Sequence, residues 1–362
     1  MSVIIFILIL AVLILVHELG HFWVAKKSGI RVDEFGLGFP PRAWGKKIGE
    51  TIYSINWIPF GGFVKIFGED PNDESIDGPD SKRSFVNKNR GIQAAVLVAG
   101  VTFNFLFAWL LLSIGFMVGL PTPASYSNDV KDVALTVTSV KVDSPAYEIG
   151  LQTGDKITGI SSPTGGELQN PTSFEAHEFF EENSDVPVVV RYSREGEAFE
   201  RGVQAVQGLE DGRKLIGITM DDVGILKLPF FASLKEGTKT TLEFTKLITV
   251  GLGTFFADAF TGKADFSEVA GPVGIAGLVG EASDLGFVYL LSFTAIISLH
   301  LAIINLAPFP ALDGGRLLFV AIETIIRRPI NPKIQNVVNT AGFAILILLM
   351  IFVTYKDIAK LF

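Results

Sequence analysis

The chain has no cysteine, which excludes disulfides and any thiolate metal site. Histidine is scarce, with four copies in 362 residues, so imidazole chemistry must draw on a very small set. Charged side chains make up only 19% and leave a net charge of −8, which offers nothing to a nucleic-acid backbone. Apolar residues take up the space, at 49% with 30 phenylalanines, and mean hydropathy is +0.43. That composition fits a protein built partly in a membrane and partly in water. The length allows two or three domains.

Val3 to Val16 contains no charged or strongly polar side chain, and His17-Glu18-Leu19-Gly20-His21 follows directly. The apolar run then continues to Lys26-Lys27, which closes it as a membrane boundary does. Positions i and i+4 share one helical face, so His17 and His21 can offer imidazole nitrogens to one metal. Glu18 then stands beside that metal as a candidate base for its water. Ionisable groups at membrane depth are costly and usually functional. A soluble core helix fits poorly with so long an unbroken run. A cleaved signal peptide fits poorly too, because the positive charges come after the apolar stretch.

Three further segments approach the ~20 apolar residues that a ~30 Å hydrocarbon core requires. They are Ala94 to Leu120, Gly286 to Ala307, and Ala341 to Tyr355 with its flanks. Lys26, Lys27, Arg31, Lys82, Arg83, Lys88, Arg90, Arg316, Arg327, Arg328 and Lys333 flank the spans on one side, which predicts a cytoplasmic face there. Both termini and the long segment between spans two and three are then extracytoplasmic. Val3 to Glu18 rises roughly 22 Å, which puts the motif below the midplane on the cytoplasmic side.

The expected fold class is a polytopic α-helical membrane protein. Four transmembrane helices carry a membrane-associated β-hairpin region and one extracytoplasmic, circularly permuted PDZ (α+β) domain. The expected divisions are helix 1 at 1–26, the β region at 30–68, a cytoplasmic loop at 69–92, helix 2 at 93–120 and the PDZ domain at 126–222. There follow an amphipathic surface helix at 228–262, helix 3 at 286–307, a loop and short helix at 308–335, and helix 4 at 337–357. The β reading rests on the Gly and Pro punctuation of Ile30 to Gly68, with Glu50 to Trp57 and Phe63 to Phe67 as β-rich stretches. Asp70 to Asp80 reads as a mobile polar loop. Phe, Leu and Thr mixed with Lys235, Glu236, Lys239, Glu243 and Lys246 suit a helix lying along a membrane surface.

Within 126–222, strands are expected at Leu135 to Val140, Lys156 to Ile160, Val186 to Tyr192, Ala198 to Val206 and Leu215 to Met220. A short helix opens at Ser144-Pro145-Ala146, and another runs from Ser173 to Glu182. That order, with SPAYEIGLQTGDKITGI near its start, resembles a circularly permuted PDZ domain. The resemblance implies that Leu215, Ile216, Gly217 and Ile218 form the peptide groove, where an extended peptide adds to a sheet edge.

A catalytic zinc takes three protein ligands and a water. Without cysteine, the third ligand must be His, Asp or Glu. Asp313 in Asn305-Leu306-Ala307-Pro308-Phe309-Pro310-Ala311-Leu312-Asp313-Gly314-Gly315 is the best candidate, since the prolines break the span and can aim a carboxylate back at the first helix. The competing reading makes Asp313 an N-cap of a helix from Leu317 to Ile326. His300, in the third span, is the other histidine within reach.

HELGH, GGFVKIFGED, a PDZ-like insert, GPVGI and NLAPFPALDGG, in that order, resemble the site-2 proteases, specifically the bacterial regulator-of-sigma-E protease type. The resemblance implies Zn2+ held by His17, His21 and Asp313, with Glu18 as general base. It implies that Asn305 positions substrate and that Gly62, Phe63, Val64 and Lys65 belong to a β-element that engages it. It further implies regulated intramembrane proteolysis of single-span membrane proteins, such as a pre-cleaved anti-sigma factor or a remnant signal peptide, in the bacterial inner membrane. Membrane lipid is the other expected partner, and nucleic acid is not one. The chain departs from the family in having room for one PDZ domain where some members have two, in His300, and in Arg316 where histidine is common. His177 is expected on the surface. A metal transporter would also place His and Asp in spans but has no need of Glu18, and a silent scaffold would tolerate loss of the motif.

Overall fold

The computed structural model of the protein describes residues 2–70, 73–164, 166–210, 213–263 and 269–360. In chain order the elements are α1 (Ser2–Lys27), β1 (Val32–Ile48), β2 (Thr51–Ile66), α2 (Asp73–Asp77), α3 (Arg90–Val118), β3 (Leu120–Pro123), β4 (Lys131–Val140) and α4 (Pro145–Glu148). They continue with β5 (Lys156–Ser161), β6 (Glu167–Gln169), α5 (Ser173–Glu182), β7 (Val188–Arg194), β8 (Glu197–Val203), β9 (Val206–Glu210), β10 (Arg213–Leu215) and β11 (Ile218–Leu226). Last come α6 (Phe230–Thr261), α7 (Pro272–Asp284), α8 (Phe287–Leu306), α9 (Asp313–Ile326) and α10 (Pro332–Ala359). The chain divides into two units, Met1–Gly115 with Phe231–Phe362, and Phe116–Phe230.

In the first unit, α1, α3, α8 and α10 are each long and apolar enough to cross a membrane. Their outer faces keep large apolar side chains exposed, among them Leu8 and Val12 on α1 and Leu348 and Ile351 on α10. Lipid is the solvent that such faces suit. The 32-residue α6 is helical throughout, and its charged residues keep it out of that set. A buried cluster of Ala25, Ile30, Val32, Ile66, Val96, Leu97 and Val320 ties the end of α1 to the sheet, α3 and α9. Asp357 near the end of α10 accepts from the amides of Gly271 at 3.1 Å and Gly274 at 2.8 Å, fastening the start of α7.

Strands β1 and β2 form one antiparallel hairpin, folded over so that both halves of β2 flank the start of β1. Phe35 pairs with Val64 on one side and Tyr53 on the other, while Lys46 pairs with Tyr53. Across the sheet the segments therefore run 62–66, 32–37, 51–56 and 42–48, with Gly62–Ile66 at an edge. The short separate strands expected in this region are thus two long strands of 17 and 16 residues. The polar stretch after them, expected as a loop, contains the helical turn α2, with Pro71 and Asn72 outside the described residues.

The second unit is a sheet in the order β3-β11-β4-β5-β7-β8, with β6 on β5. It encloses a core that includes Leu135, Val137, Ile157, Ile160, Val190 and Tyr192. Thr172 and Glu175 form a reciprocal capping box at the start of α5, as an S/T-x-x-E spacing favours. The strand expected from Leu215 to Met220 is instead split at Gly217, whose φ of +85° suits a residue without Cβ, and the second part runs on to Leu226.

Candidate metal centre

Three ligand atoms from two distant parts of the chain converge. His17 Nε2 lies 2.9 Å from Asp313 Oδ2, His21 Nε2 lies 3.2 Å from the same oxygen, and the two Nε2 atoms are 3.1 Å apart. His17 and His21 are buried on α1, one helical turn apart. Asp313 reaches them from the first residue of α9. It is not an N-cap: Leu312 holds that position, with no side-chain cap.

The break between α8 and α9 is what aims this carboxylate. Pro308 and Pro310 end the helical run, and the chain doubles back tightly on the end of α8. A Cβ on Gly314 would fall on the carbonyl oxygens of Leu306 and Ala307, and one on Gly315 would stand 2.7 Å from the Phe309 carbonyl carbon. The two glycines after Asp313 are thus required by close approach of backbone. Asn339 of α10 accepts from the Ala311 amide at 3.3 Å and steadies the loop.

The donor set fits zinc. A tetrahedral ion with bonds of about 2.0–2.2 Å keeps its ligand atoms roughly 3.3–3.5 Å apart, close to the spacing found here. His21 Nδ1 lies 2.8 Å from the Val96 carbonyl oxygen, which can only accept, so the Nδ1 proton is engaged and the neutral ring offers its Nε2 lone pair inward. Asp313 Oδ2 is buried and receives no hydrogen bond of good geometry. Two imidazole nitrogens and one carboxylate oxygen leave the fourth position of a tetrahedral ion for water or substrate, the pattern of a catalytic site.

Glu18 follows His17 on α1 and is close enough to interact electrostatically with both His21 and Asp313. The Val64 backbone amide lies near its carboxylate. A Cβ built on Gly62 would stand 3.8 Å from Glu18 Cγ. Gly62, Phe63, Val64 and Lys65 therefore form the sheet edge nearest the catalytic candidate. Arg316, one turn into α9, is paired with Glu69 just beyond that edge, which joins the β-element to the Asp313 helix. Burial pushes the Glu69 carboxyl above the ordinary carboxylate range, and Arg316 opposes that shift.

Other candidates fall elsewhere. Asn305 is partly buried in the last turn of α8, ahead of the proline break. His300 Nδ1 donates to the Ile296 carbonyl within α8 at 2.9 Å, and the ring is not part of the three-ligand cluster. Leu215, Ile216, Gly217 and Ile218 line a cavity of about 460 Å3 in the second unit, opposite Phe180 and the exposed His177 of α5. Beside it, β11 pairs with β4 from Ile218 onward but with β3 only from Val223, so its first residues form an open edge among the described residues.

Sequence reading missed three parts of the centre: Val96, Gly100 and Asn104, all on α3. A Cβ on Gly100 would fall on His21 Nε2 and lie 2.8 Å from His17 Nε2, so only glycine leaves room for both rings. The available signal was Gly100-Val101-Thr102-Phe103-Asn104, a small residue and a carboxamide one turn apart inside an apolar span.

The profile of Peptidase family M50 matches residues 5–349. A candidate zinc metalloprotease of Clostridium perfringens is 36% identical over 359 residues, covering 99% of this chain and 98% of the relative. Zinc metalloprotease RasP of Geobacillus kaustophilus is 29% identical, covering 100% and 98%. The regulator of sigma-E protease RseP of Salmonella typhimurium is 28% identical, covering 98% of each. The converging ligands, the membrane-length helices and these end-to-end matches agree: the chain belongs to peptidase family M50, the site-2 proteases, and is a multi-pass membrane zinc metalloprotease.

Proposed function

We propose that this enzyme cuts single-span membrane proteins in or near their transmembrane segment, as a step of regulated intramembrane proteolysis. The observation that carries this reading is the place of the site residues: the two histidine ligand candidates, His17 and His21, and the candidate base Glu18 lie within a helix long and apolar enough to span the bilayer. Hydrolytic machinery at that depth is suited to a bond that soluble proteases cannot reach.

His17, His21 and Asp313 would hold the zinc, and bound zinc supplies Lewis acidity that makes water nucleophilic near neutral pH and polarises the scissile carbonyl. Glu18 takes the proton from the attacking water and returns it to the leaving amine. A helical substrate hides its backbone in its own hydrogen bonds, so the scissile segment must first extend. The sheet edge at residues 62–65, beside Glu18, is assigned to supply replacement partners by strand addition. Asn305, at the helix break, is assigned to orient a substrate carbonyl.

The second unit is read as the circularly permuted PDZ domain. Its support is the cavity between α5 and the open start of β11, lined by Leu215, Ile216, Gly217 and Ile218, which suits an extended peptide end. The orientation assigned is cytoplasmic for the lysine- and arginine-rich loops, in a bacterial inner membrane, with the PDZ domain and both termini outside.

The test is incubation of the purified chain with single-span substrates, with and without a chelator, and mass mapping of the products. Zinc-restorable cuts within or at the margin of the transmembrane segment are expected. Cuts confined to soluble ectodomains would reject the proposal.

A further inference from the structure

Asn104 lies midway along α3, in a helix of membrane-spanning length, and is fully buried. A lone carboxamide in such a place is costly unless its polar atoms are used. Its backbone carbonyl accepts from Ser298 Oγ at 2.9 Å, which docks α8 against α3. Its side chain lies against the metal centre. Nδ2 is 3.3 Å from His17 Nδ1, and Oδ1 is buried without a hydrogen-bond partner among the described residues.

The two ends of a carboxamide exchange by a half-turn, and the choice between them sets the tautomer of His17. With the amide nitrogen toward the ring, Nδ1 must accept, and the imidazole proton is forced onto Nε2. That is the atom 2.9 Å from Asp313 Oδ2 and 3.1 Å from His21 Nε2. A ligating ring needs the reverse, with the proton on Nδ1 and the lone pair on Nε2. Turning Oδ1 toward His17 provides it and gives the orphaned oxygen a donor. His21 already has that arrangement, since Val96 accepts its Nδ1 proton.

We propose that Asn104 is a positioning residue of the metal centre, whose Oδ1 accepts the Nδ1–H of His17 and holds that ring as an Nε2 ligand. The two imidazoles are then supported from one helix, by Val96 and Asn104, eight residues apart on α3. The proposal rests on His17 being a zinc ligand.

The experiment measures the zinc dissociation constant of the detergent-purified full chain by competition with a chromophoric chelator, and the visible spectrum of the cobalt-substituted protein. Asn104→Leu keeps the branched shape, with bulkier methyl ends, but removes the acceptor, and is expected to weaken zinc binding roughly 10–100-fold, the usual effect of losing such a support. Asn104→Asp keeps the shape and, when ionised, can only accept. It is expected to bind zinc at least as tightly as the parent and to keep the cobalt spectrum. A packing role alone gives no reason for the added negative charge to tighten zinc binding beyond the parent. Parent-like zinc affinity in Asn104→Leu overturns the proposal. So does a roughly tenfold loss in Asn104→Asp, and this second variant decides the matter even if the leucine variant fails to fold. His17→Ala, measured alongside, separates the failures. Zinc retained there removes the ligand assignment itself, whereas zinc lost there and kept in Asn104→Leu removes only the role of Asn104.

Discussion

His21 Nδ1 donates to the carbonyl of Val96, 75 residues further along the chain, at 2.8 Å. The bond orients one candidate zinc ligand from a second helix of spanning length and leaves its inner nitrogen free to face a metal. The centre is therefore a joint product of α1, α3 and α9, although only two of these carry ligands.

Asp313 is the proposed third ligand. Asp313→Ala should lower bound zinc roughly tenfold or more, because two imidazoles alone make a poor zinc site. Metal analysis of the purified variant checks this. Full zinc occupancy would require another third ligand, with His300 the first to examine.

Gly100 leaves room for the two rings. Gly100→Ala would put a methyl group where His21 Nε2 now lies, so zinc content should fall several-fold even though alanine is the better helix former. Circular dichroism with metal analysis separates lost zinc from lost helix. A variant with parent-like zinc would show that α1 and α3 can part at no cost.

The sheet edge at Gly62–Lys65 should matter for cleavage and not for metal. Neighbouring residues on a strand aim their amides to opposite sides. Proline placed at one outward-facing amide of this stretch removes a donor worth about 1 kcal/mol or more, predicting roughly tenfold slower cleavage with zinc retained. Unchanged cleavage across a proline scan of the edge would reject strand addition there.

Arg194 holds Asp155 in the second unit through two contacts of 2.7 Å, and the Asp155 side chain is only 1% exposed. Arg194→Leu strands that carboxylate with the Gln152 amide as its remaining partner in this network. Such a loss should destabilise the unit by about 3 kcal/mol. Pulse proteolysis in urea, following fragments from residues 116–230, measures it. A change below about 0.5 kcal/mol would mean that water reaches and solvates the acid.

The legible part of this molecule is the part where membrane cost makes polar residues conspicuous. His17, Glu18 and His21 interrupt an otherwise apolar run, and Asp313 follows two prolines, so both stand out in a single sequence. Asn104 is just as deep, but an isolated carboxamide among Phe, Leu and Thr reads as a tolerated polar residue. Nothing local shows which helix crosses α3 at that height. Gly100 is hidden for the same reason, since a small residue acquires meaning only from the ring packed on it. The doubled-back sheet was not legible either: β1 pairs with two separate stretches of β2, a register set by contacts distant in the chain. The reading of Asp313 as the N-cap of a helix from Leu317 does not hold, because the turn after Pro310 starts the helix at Asp313, four residues earlier, with Leu312 in the capping position.

The most direct test of the catalytic assignment compares the parent enzyme with Glu18→Gln on one single-span substrate, with bound zinc quantified in both. Equal zinc with cleavage lost only in Glu18→Gln is the predicted result, since the amide cannot take a proton from water. Cleavage at the parent rate by Glu18→Gln would contradict the assignment of Glu18 as the base.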